Sequence, residues 1–293
     1  MKKALLIVNP SSGGEKAKEY EALAYDKLAS YFDDVDVKHT EKGGDAKRFA
    51  HEAAQQRLDS VFVMGGDGTV NEGISGLAEQ DYRPKFGLFP LGTVNDLTRA
   101  LGMSLDPEEA INQISFETTS PLDIGKVNDA YFMNVVAIGT LPEAINDVAP
   151  EEKTTFGKMA YFMSGFKQLI KNKSYTFQLD IDGDTKEINS TTLLIGLTNS
   201  IGGFERILPE ARVDDGLLHL IYLKDSNLLE TVKALPSLLK GVEASDQTLG
   251  YQTFKEATIA MKEGQLSINV DGDEGEALPI TVKVLPQHLQ VYR

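Results

Sequence analysis

The stretch Val61-Phe62-Val63-Met64-Gly65-Gly66-Asp67-Gly68-Thr69-Val70-Asn71-Glu72 has the residue types that handle phosphate. An apolar run from Ser60 to Met64 is followed at once by Gly65, Gly66 and Gly68. It reads as strand, tight turn and helix. Glycines let backbone amides approach a bulky group closely, because no Cβ stands in the way. A helix opening near Thr69 would aim its unpaired N–H groups and positive dipole end into the same turn, which suits an anion. A carboxylate such as Asp67 among phosphates implies an intervening Mg²⁺, bound directly or through water. The same residues also suit an ordinary β-turn, since Asp-Gly is a common turn pair. The spacing fits neither G-x-x-x-x-G-K-[ST] nor G-x-G-x-x-G.

Two acidic turns lie late in the chain. Asn269-Val270-Asp271-Gly272-Asp273-Glu274-Gly275 sets carboxylates beside glycines at a strand end. A carboxylate within about 3 Å of a hydroxyl can take its proton as the oxygen attacks phosphorus. The bland alternative is a solvated hairpin loop. Arg212-Val213-Asp214-Asp215-Gly216-Leu217 is the other acidic turn, and it reads equally well as a β-hairpin corner. His39, His51, His219 and His288 are scattered, and none is assigned to catalysis or metal.

Regular elements must carry these turns. Lys3 to Val8 reads as an apolar strand ending in Asn9-Pro10-Ser11-Ser12-Gly13-Gly14, before a helix from about Glu15 to Tyr31. Val35 to His39 reads as a strand followed by Thr40, and Asp45 as the N-cap of a helix over Ala46 to Gln56. Phe86 to Phe89 gives a fourth strand, ending in Pro90-Leu91-Gly92-Thr93-Val94-Asn95-Asp96 and a short helix through Leu101. Strands alternating with helices imply a parallel sheet with ligands beyond the strands' carboxyl ends. Asn9, Thr40, Gly65 to Thr69 and Gly92 to Asp96 would then converge on one edge. After Asp123-Ile124-Gly125 the helical pattern thins. Tyr131 to Ile138, Tyr175 to Ile181, Glu187 to Leu197, Leu217 to Leu223, Gln252 to Ala260, Leu266 to Val270, Ile280 to Leu285 and Leu289 to Tyr292 read as strands of an antiparallel sandwich or barrel.

Composition bounds the function. With 293 residues, two domains fit best, an α/β nucleotide-binding domain over 1–125 and a β-rich domain over 126–285. No apolar run approaches the roughly 18 residues that span a bilayer. Met1 to Pro10 is too short in its apolar part for a signal peptide and reads as a first strand. The absence of cysteine removes disulfides and thiolate metal sites. A formal charge of −15 argues against nucleic acid as a partner. Thr155 to Lys173 interleaves Phe156, Met159, Tyr161, Phe162 and Phe166 with Lys158 and Lys167, the composition of an interfacial helix. A core-packed helix with a lysine-rich solvated face is the alternative reading.

Taken together, Asn9-Pro10 with Gly13-Gly14, Thr40 before Gly44-Asp45-Ala46, Gly66-Asp67-Gly68-Thr69 with Asn71-Glu72, and Gly92-Thr93-Val94-Asn95-Asp96 resemble the diacylglycerol kinase catalytic domain of bacterial lipid kinases, which sphingosine and ceramide kinases share. The resemblance implies an α/β domain holding ATP, a β-rich domain holding the lipid, the active site between them, and a final segment 286–293 returning to the first domain. It implies nucleotide contacts at Asn9, Thr40, Gly65, Gly66, Asp67, Gly68, Thr69, Glu72, Gly92 and Thr93. It places Mg²⁺ and its waters near Asp67, Asp96 and Asp123, and acceptor activation at Asp271 and Asp273. This chain has Asp273 where the family more often has glutamate, so Glu274 stands as an alternative base. A structural Mg²⁺ is implied at the Asp215 side chain and backbone carbonyls of the Arg212 to Leu217 turn. Thr198-Asn199-Ser200-Ile201-Gly202-Gly203 departs from the family's usual Gly-Asn-Gly. The composition suits a cytoplasmic, transiently membrane-associated protein meeting its lipid through Lys158 and Lys167, and the resemblance implies a homodimer. The rivals are an NAD kinase and a catalytically inactive nucleotide- or phospholipid-binding protein.

Overall fold

A computed structural model describes residues 1–13, 17–139, 174–203, 207–224 and 249–293. The expected interfacial helix, with Lys158 and Lys167, lies outside the described residues. The chain divides into two units: Met1–Ile124 with Gln287–Arg293, and Gly125–Pro286.

The first unit alternates strand and helix: β1 (Lys3–Val8), α1 (Ala17–Ala29), β2 (Asp34–His39), α2 (Asp45–Gln55), β3 (Ser60–Gly65), α3 (Asp67–Leu77), β4 (Lys85–Pro90), α4 (Asp96–Ala100), α5 (Pro107–Gln113) and β5 (Ser120–Val127), which ends beyond the boundary. Its strands run parallel in the order β2-β1-β3-β4. Strand β3 is buried at every position, as the uninterrupted apolar run requires in a sheet covered on both faces. Helix α5 was not anticipated, although Asp106-Pro107-Glu108-Glu109 carries its signal. Asp106 caps it by accepting from the Glu109 N–H at 2.9 Å, and Pro107 opens it. The end of the chain closes this unit. Tyr292 is 2% exposed, stacks on Phe62 with centroids 5.4 Å apart, and its hydroxyl meets Ser60 Oγ at 2.9 Å.

The second unit is an antiparallel β-sandwich. Its remaining strands are β6 (Ala130–Phe132), β7 (Val135–Gly139), β8 (Tyr175–Ile181), β9 (Asp184–Ser190), β10 (Thr192–Gly196), β11 (Leu218–Leu223), β12 (Leu249–Phe254), β13 (Glu256–Met261), β14 (Ser267–Val270), β15 (Asp273–Ala277) and β16 (Ile280–Val291). One sheet has the order β12-β11-β10-β7-β14-β15; the other joins β16, β13, β8 and β9. Phe177, Leu179, Ile259 and Val282 from one sheet share a core with Ile138, Leu193, Ile195 and Ile268 from the other.

Five strand expectations need correction. Tyr131 to Ile138 is broken into β6 and β7, because Asp271 draws away the N–H groups of Met133, Asn134 and Val135. Glu187 to Leu197 changes sheets after Ser190, and Gln252 to Ala260 changes sheets at Lys255. Ile280 to Leu285 and Leu289 to Tyr292 belong to one strand, β16, which passes from the second unit into the first. A hydrophobic pattern of period two does not record which sheet a strand joins, so these breaks left no mark in it.

Candidate functional site

The carboxyl ends of four parallel strands lie side by side. The Thr40 N–H donates to the Val8 carbonyl at 2.9 Å, Asn9 N–H to the Met64 carbonyl at 3.0 Å, and Leu91 N–H to the Gly65 carbonyl at 2.8 Å. These rungs bring the turns at Asn9, Thr40, Gly65–Thr69 and Gly92–Asp96 to one edge. Side chains tie them further. Asn9 Nδ2 donates to Thr69 Oγ1 at 2.9 Å, and the Glu72 carboxylate accepts from Gly44 N–H at 2.9 Å and Ala46 N–H at 3.2 Å.

Glu72 thereby replaces the N-cap expected from Asp45. The N-cap of α2 is Gly44, at φ 86°. The Asp45 carboxylate turns back to the N–H groups of Glu41 and Lys42 and to Arg48. The Glu41 N–H first, and then Arg48, hold its pKa at about 2.

The turn after β3 is shaped by close backbone approach. A Cβ on Gly66 would stand 3.2 Å from Gly92 Cα, and one on Gly92 would stand 2.8 Å from Gly66 Cα, so these two turns touch backbone to backbone. Gly68 is different: it is exposed, lies in the first turn of α3, and a Cβ there would meet nothing within 4 Å. Glycine in a helix costs about 1 kcal/mol relative to alanine, and here neither φ nor packing within the chain asks for it. The N-cap of α3 is Gly66, which has no side chain to cap the helix, so among the described residues the first amides of that helix are open to an outside acceptor. An open glycine and uncapped amides together form a cradle that fits phosphate oxygens.

Asp67 has a second explanation beside a cation. Its Oδ2 accepts from Asn95 N–H at 2.9 Å and its Oδ1 from Asp96 N–H at 2.8 Å, so it staples the Gly92–Asp96 turn to its own. Asn95, at φ 54°, closes that turn with its side chain on Gly92. Asp96 is buried, and Asp123, 1% exposed, accepts from Gln287 N–H at 2.6 Å. Thr93 is exposed, and Thr40 is half-buried. For a hydrated Mg²⁺, Asp67 is the accessible member of this acidic set, and each of its oxygens retains a lone pair beside the N–H bond it accepts.

In the second unit Asp271 (φ 50°) and Gly272 (φ 96°) form a two-residue turn between β14 and β15, with Val270 opposite Asp273. Two positive φ values make it the type I′ hairpin that Asp-Gly favours. The Asp271 carboxylate accepts from Met133 N–H at 2.8 Å, Asn134 N–H at 3.0 Å and Val135 N–H at 2.8 Å. Asp273 and Glu274 are exposed beside it.

The Asp215 turn is closed in the same way. Its carboxylate accepts from Arg212 N–H and Leu217 N–H, both at 2.9 Å, and His219 Nε2 lies 3.2 Å from Oδ2. Burial raises its pKa, but the His219 contact and the two N–H groups outweigh that and leave it below the ordinary value. His219, which sequence reasoning set aside, is 2% exposed and also meets the Tyr251 hydroxyl at 2.7 Å. Burial, with Glu210 and Asp215 nearby, lifts the Tyr251 pKa to about 12. Among the described residues no three His, Cys, Asp or Glu side chains group as metal ligands. The turn therefore offers Mg²⁺ one carboxylate and backbone carbonyls, a donor set completed only by several waters.

Two family matches follow one another along the chain. Residues 3–127 match the diacylglycerol kinase catalytic domain, and residues 134–293 match the YegS C-terminal NAD kinase beta sandwich-like domain. The chain is 35% identical to proteins named diacylglycerol kinase from Bacillus subtilis, over 99% of this chain and 96% of that one, and from Staphylococcus carnosus, over 99% and 95%. A crystal structure titled as a diacylglycerol kinase from Bacillus anthracis superposes with a TM-score of 0.81 at 26% identity, covering 99% of this chain and 96% of the other. Among the described residues no helix is long and apolar enough to cross a membrane.

Proposed function

The chain belongs to the diacylglycerol kinase catalytic-domain family and is an ATP-dependent lipid kinase; from that premise we propose that it transfers the γ-phosphoryl of ATP to the hydroxyl of diacylglycerol, giving phosphatidic acid. The observation that carries the donor side is the cradle at Gly68, where among the described residues no atom lies within 4 Å of an added Cβ. The α3 amides and the Gly66–Gly92 backbone pair receive the phosphates, with Asn9 and Glu72 holding the neighbouring turns in place. Thr40 and Thr93 complete the edge on which the nucleotide lies.

Mg²⁺, when bound, neutralises charge building on the phosphate oxygens. In this reading Asp67 would hold that cation through water; the Asp96 N–H ties its turn to Asp67, and the Asp123 carboxylate holds the Gln287 N–H. Asp271 serves as a positioning residue, since its oxygens already hold three backbone N–H groups. Asp273, exposed at the same hairpin, takes the hydroxyl proton. As the hydroxyl oxygen forms its bond to the γ-phosphorus, the bond to the bridging oxygen breaks and ADP leaves. Positioning and electrostatics supply most of the acceleration in such transfers.

The NAD kinase-like description of the sandwich keeps NAD⁺ as a rival acceptor. Transfer of labelled γ-phosphate should be run with Mg²⁺ in mixed micelles containing diacylglycerol, and in parallel with monoacylglycerol, sphingosine and NAD⁺. Labelled phosphatidic acid as the dominant product supports the reading. Preferred labelling of NAD⁺ or of another lipid replaces the acceptor, and nucleotide binding without any transfer points to a sensor.

A further inference from the structure

The two oxygens of the Asp215 carboxylate are not equally engaged. Oδ1 accepts from Leu217 N–H at 2.9 Å, whereas Oδ2 accepts from Arg212 N–H at 2.9 Å and lies 3.2 Å from His219 Nε2. A carboxylate oxygen offers about two lone-pair sites, so Oδ2 is filled and Oδ1 keeps one. Among the described residues no further donor takes that site, and the Arg212 guanidinium is directed instead to Asp214, with Nε 3.8 Å from Oδ1. The Asp215 side chain is 11% exposed in a half-buried turn, so solvent reaches it.

His219 is held where it cannot release Oδ2. It is buried and follows Asp215 by four residues, after Gly216 at φ 72° has turned the chain into β11. The β11–β12 register sets Thr253 opposite His219, so Tyr251, two residues away, shares the same face of the sheet. The Tyr251 hydroxyl meets His219 Nδ1 at 2.7 Å. A lone pair on Nε2 would face a carboxylate, so Nε2 carries the hydrogen and the neutral ring accepts the Tyr251 O–H at Nδ1. Tyr251 therefore fixes the ring, and the ring occupies Oδ2.

Divalent cations differ in what they ask of a carboxylate. Ca²⁺ gathers six to eight oxygens at about 2.3–2.6 Å and readily takes both oxygens of one carboxylate, whereas Mg²⁺ demands an octahedron at about 2.0–2.1 Å and keeps several waters. We propose that His219, held by Tyr251, is a specificity-determining residue of a cation site at the Asp215 turn: by occupying Oδ2 it limits Asp215 to one ligating oxygen, Oδ1, and so favours Mg²⁺ over Ca²⁺. The inference rests on the reading of this turn as a cation site, and not on which lipid accepts the phosphoryl group. Without the His219 N–H, each oxygen would have a lone pair to offer, and the bidentate clasp that Ca²⁺ uses becomes available.

The test is a calorimetric titration of the full-length protein, without nucleotide, with Mg²⁺ and with Ca²⁺. Binding that disappears in Asp215→Asn marks the part that belongs to this turn. There, wild type should bind Mg²⁺ at least tenfold more tightly than Ca²⁺, and His219→Leu should lower that ratio at least fivefold. His219→Gln, whose amide N–H can replace the Nε2–H, should keep the wild-type ratio, which a role in folding alone would not predict. The double variant His219→Leu/Tyr251→Phe, which also removes the orphaned phenol hydroxyl, stands in should the single variant misfold. A ratio unchanged in the leucine variants overturns the inference, as does a loss in His219→Gln as large as in His219→Leu. Ca²⁺ binding as tightly as Mg²⁺ in wild type overturns it without any variant. Wild type with no Asp215-dependent cation binding would bring down the cation site itself, while labelled phosphatidic acid from the same protein would keep the kinase reading in place.

Discussion

Aspartates in this chain hold backbone more often than their sequence context suggests. Asp45, Asp67, Asp182, Asp215 and Asp271 each accept at least two backbone N–H groups at a turn. Acidic residues beside glycines at strand ends read as chemistry because the sequence shows the charge and conceals the amides that meet it. Asp271→Ala would leave three buried or half-buried N–H groups without their acceptor, and charge-assisted bonds of this kind contribute about 1.5–3 kcal/mol each before relaxation. The variant should lower the urea midpoint markedly along with transfer, so activity alone cannot assign Asp271 as a base. Asp273→Asn, at an exposed position with no such bonds among the described contacts, should lower kcat by at least tenfold with the urea midpoint unchanged. An equally active Asp273→Asn would move the proton to Glu274. Gly68 was legible by type, but its reason was not: only the coordinates show that the space beyond it is open. Gly68→Val should fold normally and lose nucleotide affinity by more than tenfold in a titration with ATP.

Elements were legible in the first unit because strand and helix periods alternate there: the four parallel strands fall within a residue of the expected bounds, and α3 starts two residues before Thr69. In the second unit, tertiary bonds broke runs that look continuous. Asp182 draws in the N–H groups of Lys255 and Glu256 and divides β12 from β13, as Asp271 divides β6 from β7. One histidine links β16 to the turn that follows α3. His288 Nε2 accepts from Glu79 N–H at 2.8 Å, which requires the neutral ring, and burial with Arg83 nearby lowers its pKa below 6.5 while Glu79 opposes. The unfolded chain therefore binds this proton more readily than the folded one. The bond's contribution is full above pH 6.5 and is lost as the pH falls through the lower folded value. The difference in urea midpoint between wild type and His288→Leu should accordingly shrink from pH 7.5 to pH 5; a constant difference would show that the ring's protonation is unlinked to folding.

The whole molecule is threaded so that its last residues complete its first unit. Tyr292 fills the aromatic cluster around Phe62, Phe89 and Phe116, and truncating so large a buried side chain costs about 3–5 kcal/mol. Tyr292→Ala should unfold the first unit's nucleotide site at lower urea, whereas Tyr292→Phe, which loses only the Ser60 bond, should cost about 1 kcal/mol. A charge of −15 argues against nucleic acid as a partner but is silent on the lipid; the proposed acceptor rests on family membership. The most direct measurement is transfer of labelled γ-phosphate from Mg²⁺-ATP to diacylglycerol in mixed micelles, comparing wild type with folded Gly68→Val. The account predicts labelled phosphatidic acid from wild type and at least a hundredfold less from the variant. Equal transfer by both would contradict the phosphate cradle, and no labelled lipid from wild type would contradict the kinase itself.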